Sequence, residues 1–484
     1  MLFNSYIFIL LFLPLCLIGY FLLNKFKQYT LAQVYLFGMS LWFYGYFKVK
    51  YLGIILASIL INYLVYLGIN RSGTKRKAKG IMIAGVCINV GILLYFKYMD
   101  FFISNINALL GTEIGFLRIV LPLGISFFTF QQISFIVDAY RGEIPGYGFW
   151  HYAGFVAFFP QLIAGPIVTH DELVPQFLDE KKKHPDAENI AQGIYIFALG
   201  LAKKVLLADS FGKIVSYGYG NLDKMDSVEA CLVILAYTIQ IYFDFSGYCD
   251  MAIGIGKMFN IDLPVNFNSP YKARTITEFW DRWHMTLTRF FTKYVYIPLG
   301  GNRKGAVRTY VNVFLVFLIS GFWHGASWNF VFWGVMHGLF VVLTRRFKEF
   351  FAKVPGIINW FVTFVFVNIA WVFFRAKTMG DAFSVLKNLF AFRFDGLDGN
   401  YIEVIRSVEF TEVLGLFALE EKFPPFVLTG FFLTALIGLF GCKNAYQKMQ
   451  EFKPGLWTMV ITVVLLVWCI FSFAGISTFL YFNF

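Results

Sequence analysis

Histidine is scarce in this chain, six in 484 residues, and two of the six stand where an imidazole could move a proton. His324 lies in SGFWHGASWNF, Ser320 to Phe330, between the apolar runs VNVFLVFLI and VFWGVM. Gly321 and Gly325 bracket Trp323 and His324 and permit close backbone approach, while Ser327 and Asn329 offer hydrogen-bond partners. His284 lies in TEFWDRWHMTLTRFFTKYVYIPLGGNRKG. On a continuous helix Trp280 and His284 share a face, and Asp281, three positions before His284, is close enough to orient its ring. His337 falls on a different face from His324, so the two make no obvious metal pair, and its neighbours suggest packing. A neutral imidazole with an ordinary pKa near 6.5 can take a hydroxyl proton at neutral pH, worth typically about 10²–10⁴ in rate.

Charge collects beside His284. Lys272, Arg274, Arg282, Arg289, Lys293, Arg303, Lys304 and Arg308 form either a headgroup-facing surface or a cradle for a phosphorylated cytoplasmic donor, with Arg282, Arg289 and Lys293 as the donor-binding residues. Asp244 and Asp250, in IYFDFSGYCDMAIGIG, sit within an apolar run where ionisable groups are costly. They either brace the bundle through Tyr, Ser or backbone donors or serve function. The six cysteines are scattered without a CxxC or Cys/His spacing, so neither a disulfide frame nor a metal site is signalled. A His-x4-Asp pattern is absent, since Asn329 and Arg289 stand five after the two histidines, and no GxSxG elbow occurs.

The elements that must position these residues are set by composition. At 58% hydrophobic and 14% charged, the chain has too little polar surface for a soluble globule of this size. It reads as an all-α polytopic membrane protein of about 10–12 transmembrane helices with re-entrant segments. Apolar runs lie near 6–23, 31–47, 51–69, 80–98, 119–140, 190–208, 228–257, 310–322, 327–344, 356–374, 426–441 and 456–475. The first lacks a basic leader region and a small-residue cleavage site, and so reads as a retained anchor. The Pro-Gly stretches LPLGISFF and FFPQLIAGP read as bent or re-entrant, tolerable in a bilayer only where protein covers the freed backbone groups. Basic clusters at 25–27, 71–79, 181–183, 303–308, 345–353 and 443–453 should be cytoplasmic, which places the N-terminus and the acidic 392–425 segment outside. It also makes 310–344 a hairpin rising from the cytoplasm with His324 near its tip. The net charge of +12 then reflects this bias and anionic membrane lipid, with no call for nucleic acid.

The run RWHMTLTRFFTKYVYIPLGGNRKG followed by ISGFWHGASWNFVFWGVMHG resembles the signature of the membrane-bound O-acyltransferase (MBOAT) family, in its bacterial branch of the alginate O-acetyltransferase kind. The likeness extends to PLGISFFTFQQISFIVDAYRG, FFPQLIAGPIV, WVFFRAKTMGDAFSVLKNLF and the terminal FLYFNF, nearly the whole chain. It implies N-terminal transmembrane helices over 1–110, a catalytic core over 111–375, an extramembrane loop with the acidic segment over 376–425, and C-terminal helices over 426–484. It implies catalysis by His324 and His284, supported by Asp281, Trp323, Asn329 and His337. The activity implied is transfer of an acyl group, acetyl in the first reading, from a cytoplasmic thioester donor, acetyl-CoA or another acyl thioester, across a bacterial cytoplasmic (inner) membrane. The final acceptor would be an exported polysaccharide such as alginate, peptidoglycan or another exopolysaccharide, reached through a periplasmic or extracellular acetyltransferase-like partner, with no bound cofactor. Two rivals stand beside this reading: a D-alanyl transferase of the teichoic-acid type, and a polysaccharide or lipid transporter, against which the absence of visible internal repeats counts.

Overall fold

The structure, a computed structural model, describes residues 1–405, 424–473 and 479–480, and among them every regular element is helical. The first element starts as a π turn and continues as α1 (Leu13–Lys25), with proline tolerated in its first turn. It is followed by α2 (Tyr29–Gly45), α3 (Lys50–Asn70) and α4 (Lys75–Leu110). Thr74 caps α4 by accepting from the Lys77 amide, and Gly111 ends it in the left-handed conformation, so both boundaries are written in the sequence.

The expected breaks follow. LPLGISFF turns at Gly124 (φ +70) into α5 (Ile125–Arg141), and the FFPQLIAGP stretch ends α6 (Phe149–Ala157) at Phe158 and folds into the single turn α7 (Phe159–Leu162). The two breaks pack on each other: a Cβ on Gly124 would lie 2.8 Å from the Leu162 carbonyl oxygen. Protein thus covers backbone that lipid could not satisfy. After α8 (His170–Leu178) come α9 (Ala187–Ala202) and α10 (Asp209–Gly220), joined through a π segment into one long rod, and then α11 (Ser227–Met258), opened by an Asp226/Glu229 capping box. Among the described residues α11 is the most deeply buried of the long apolar helices and α4 the least.

Asp250 and Asp244 on α11 are held by Lys203 and Lys204, each at 2.6 Å, and Lys204 also meets Asp209 at 2.8 Å. Both aspartates brace the bundle, but through lysines of the π segment, where tyrosine, serine or backbone donors were expected. Among the described residues, the Leu480 amide also donates to Asp244, at 2.9 Å.

Short helices α12 (Ile276–Arg282) and α13 (Met285–Phe291) precede the hairpin of α14 (Ala306–His324) and α15 (Trp328–Arg346). The hairpin closes on glycine: a Cβ on Gly334 would meet the Phe317 carbonyl oxygen at 2.6 Å. α16 (Lys348–Lys353), α17 (Gly356–Arg375) and α18 (Met379–Leu389) complete the core, and helices Pro424–Leu436 and Leu456–Phe471 follow. Among the described residues seven helices are long and apolar enough to cross a membrane, with shorter apolar helices at Leu428–Gly441 and Leu456–Phe471. Two of the expected runs, 31–47 and 119–140, form helices of only 17 residues. Residues 406–423 of the acidic segment and most of the terminal FLYFNF lie outside the described residues.

Candidate active site

The helix expected to carry both Trp280 and His284 does not run through. α12 stops at Arg282, and His284 caps α13 with φ +46, a left-handed conformation rare for a side chain of its size. The break reassigns every neighbour. Asp281 is exposed and does not orient the ring. The His284 Nδ1 lies 3.0 Å from Asn266 Oδ1, and the same oxygen accepts from the Thr286 amide at 3.2 Å and the Thr286 hydroxyl at 3.0 Å. The Asn266 carbonyl accepts from the Met285 amide, and Phe267 pairs with Trp283, so the segment 266–267 lies along the break. Phe245 of α11 stands edge-on to the imidazole with ring centroids 4.8 Å apart. The ring is fully buried, and burial holds it well below its ordinary range, at about 3, which makes it neutral.

His324 is the last residue of α14, where helical carbonyls lose their partners. Two side chains of α4 supply them: Lys97 Nζ donates to the carbonyls of Trp323 (2.7 Å) and His324 (2.9 Å), and the Tyr98 hydroxyl donates to that of Phe322. A cation at a helix C-terminus is favoured by the dipole as well. The imidazole is boxed by Trp323, Trp333 and Phe374, with centroids 4.8, 5.1 and 5.1 Å away. Trp323 in turn stacks on Phe130 at 5.0 Å. A cavity of about 40 Å³ reaches this point, lined by His324, Trp323, Lys97, Ile163 and the 121–127 segment. A second, of about 10 Å³, reaches Asn266 from the side of Tyr446 and Met449 and touches Asp250.

His337 belongs to the same cluster. Trp280 donates its indole N–H to His337 Nδ1 at 3.2 Å, so the neutral ring carries its proton on Nε2, and Trp333 stands between His337 (4.6 Å) and His324 (5.1 Å). His324 and His337 therefore meet across Trp333, and the segment that carries His284 joins them through Trp280, whose ring centroid lies 5.7 Å from that of Trp333 and 5.0 Å from that of His337. His151, His170 and His184 lie elsewhere, His170 beside Asp138 at 3.6 Å.

The remaining site expectations change character. Asn329 donates to the Ala376 carbonyl at 2.8 Å and ties α15 to the end of α17. The basic cradle is carboxylate-paired: Arg282 meets Glu278 at 2.8 Å, Arg289 grips both oxygens of Glu172 (2.5 and 2.7 Å), and Lys293 meets Asp138 and Glu143 at 3.1 and 3.0 Å. Lys97 and Asn266 were missed. A lone lysine inside the apolar run of α4, well past the 71–79 cluster, was a legible signal, whereas an asparagine in VNFNSPY carries none.

Comparison with known proteins bears directly on this arrangement. The family model for MBOAT, the membrane-bound O-acyltransferase family, matches residues 9–380, which contain all three histidines. The chain belongs to the MBOAT family. It is 40% identical over 522 aligned positions to a peptidoglycan O-acetyltransferase of Helicobacter pylori, covering 100% of this chain and 98% of that one. It is 38% identical to the probable alginate O-acetylase AlgI of Pseudomonas aeruginosa over 81% of this chain and 75% of that one. A teichoic acid D-alanyltransferase of Lacticaseibacillus rhamnosus is 27% identical over 62% of this chain and 75% of that one. As an MBOAT protein the chain is a multi-pass membrane acyltransferase, which removes the transporter reading.

Proposed function

We propose that this acyltransferase carries an acetyl group from cytoplasmic acetyl-CoA to a hydroxyl presented from outside a bacterial inner membrane, for O-acetylation of an exported cell-envelope polysaccharide, with an extracytoplasmic protein completing delivery. The observation that carries the reading is the approach of two cavities to one histidine cluster. One touches His324 on the side of the 121–127 segment; the other touches Asn266, the partner of His284, on the side of Tyr446 and Met449, within the basic cluster 443–453 expected inside. The greater identity and coverage of the O-acetyltransferase relatives support acetyl over D-alanyl.

In this reading His324 is the general base. It takes the hydroxyl proton as the oxygen attacks the thioester carbon, the C–S bond breaks, and the thiol leaves with a proton returned from the histidine pair. Lys97, which holds the last carbonyls of α14, fixes where that imidazole stands. The domain division of a catalytic core over 111–375 between flanking helices is part of the same proposal, with Lys97 and the short helix Ala445–Gln450 contributing to the core from either flank. The test is release of free thiol from acetyl-CoA by purified protein in lipid discs, with and without oligosaccharide acceptors and a candidate extracytoplasmic partner. Turnover in wild type that vanishes in His324→Gln supports the reading. Turnover that persists in a folded His324→Gln protein moves the base elsewhere. A reporter near Lys182 should read cytoplasmic, and one within 392–405 external.

A further inference from the structure

The hydrogen bonds around His284 leave no freedom in who donates to whom. The Thr286 amide can only donate, so the Asn266 atom it meets is the amide oxygen, and the amide nitrogen faces Cys249 Sγ at 3.4 Å. The Ile167 amide donates to Thr286 Oγ1 at 3.0 Å, so that hydroxyl passes its own proton on to Asn266 Oδ1. An oxygen that accepts from two Thr286 donors can meet His284 Nδ1 only as an acceptor. Nδ1 therefore carries the proton, and in the neutral ring Nε2 holds a lone pair.

We propose that Asn266 is a positioning residue that fixes His284 in the tautomer whose Nε2 accepts protons. His284 then enters the reaction as an acceptor, whereas His337, with Nδ1 taken by Trp280, offers a donor. The two rings flank the His324 cluster with opposite polarity. This rests on the acyl-transfer reading for its kinetic consequence but not for the tautomer itself. The titratable groups around the seat are His324, Cys249 and Asp250, the last held by Lys203.

Asn266→Leu keeps the volume and removes the acceptor. It should lower kcat for thiol release by roughly 100-fold, within the general acid–base range, while donor KM moves less than about threefold. Asn266→Asp keeps an oxygen opposite Nδ1 and adds a charge that favours the imidazolium. It should retain substantial activity, with the acid limb of the kcat/KM profile displaced to higher pH by about one unit or more; a brace without a role in the tautomer would leave that limb in place. Nitrogen NMR of protein labelled with 15N-histidine, assigned through a His284→Asn control, should show the bare nitrogen as Nε2 in wild type and lose that single-tautomer pattern in Asn266→Leu. A protonated Nε2 in wild type, or Asn266→Leu activity near wild type, or an unmoved acid limb in Asn266→Asp, overturns the proposal. Wild type without any thioester turnover overturns the acyl-transfer reading instead and leaves the NMR arm to decide the tautomer alone.

Discussion

His284 and His324 are seated by opposite means. His284 stands at a helix break, in a left-handed backbone conformation, with its ring bonded to a side chain that is itself bonded three times over. His324 ends an unbroken helix, its backbone is capped from α4, and its ring is walled by two tryptophans and a phenylalanine. Hydrogen bonds choose a tautomer, whereas flat aromatic walls choose an orientation and exclude water. A ring that must present one fixed nitrogen suits the first seat, and a ring at a cavity mouth, where substrate arrives, suits the second.

The largest effect that could break this comparison is at His324. His324→Gln preserves polarity but cannot accept a proton at neutral pH, and thiol release should fall by about 10²–10⁴ with donor binding retained, as judged by equilibrium binding of a non-transferable acetyl-CoA analogue. Next comes Lys97→Met, which uncaps the carbonyls of Trp323 and His324. Loss of a charge-assisted bond of about 1.5–3 kcal/mol corresponds to roughly 10–100-fold in rate if it is felt in the transition state. Lys97→Arg should recover part of it, and a loss of expression with intact specific activity would make Lys97 a folding residue only. Smaller still is Trp280→Phe, which removes the donor to His337 Nδ1 and keeps the ring. One neutral hydrogen bond of about 1 kcal/mol gives about fivefold in kcat, and an unchanged kcat would detach His337 from the cluster.

The fold was legible because membrane crossing is a matter of length and apolarity, both readable from sequence, and because LPLGISFF, Thr74 and Gly111 carry local signals for turns and caps. His324 was legible as a candidate for a related reason: an imidazole flanked by glycines between apolar runs is a local feature of the sequence, and the structure places it at the wall of a cavity. The seat of His284 was not. Nothing in RWHMTL announces a helix break, since Trp283 and His284 have ordinary helix propensities, and the break is imposed from outside by Asn266 and by the Phe267–Trp283 pairing. Partners eighteen residues apart in sequence or on other helices, such as Asn266 for His284 and Lys204 for Asp244, leave no local periodicity to read. The basic run was visible as charge, but the carboxylates that pair Arg289 and Lys293 lie in other segments and could not be read beside it.

Arg289 carries the smallest expected effect and discriminates most finely between the two readings of that basic run. As a donor ligand, its replacement by Gln would raise the KM for acetyl-CoA, and the effect would shrink at high salt. The geometry gives it a different task. Besides gripping Glu172, Arg289 donates to the Ile167 carbonyl at 3.1 Å, and the Ile167 amide donates to Thr286, which bonds the oxygen that holds His284. Arg289 thus steadies the far end of the chain of bonds that seats the imidazole. The guanidinium is partly exposed, so such a pair is worth about 0.2–1 kcal/mol, and kcat should fall by no more than about fivefold with donor KM unmoved. The loss should add to that of Trp280→Phe, which acts on a separate ring, and should nearly disappear in an Asn266→Leu background, where the seat it supports is already gone. A raised donor KM with full kcat would return Arg289 to the donor, and the seat of His284 would then end at Thr286.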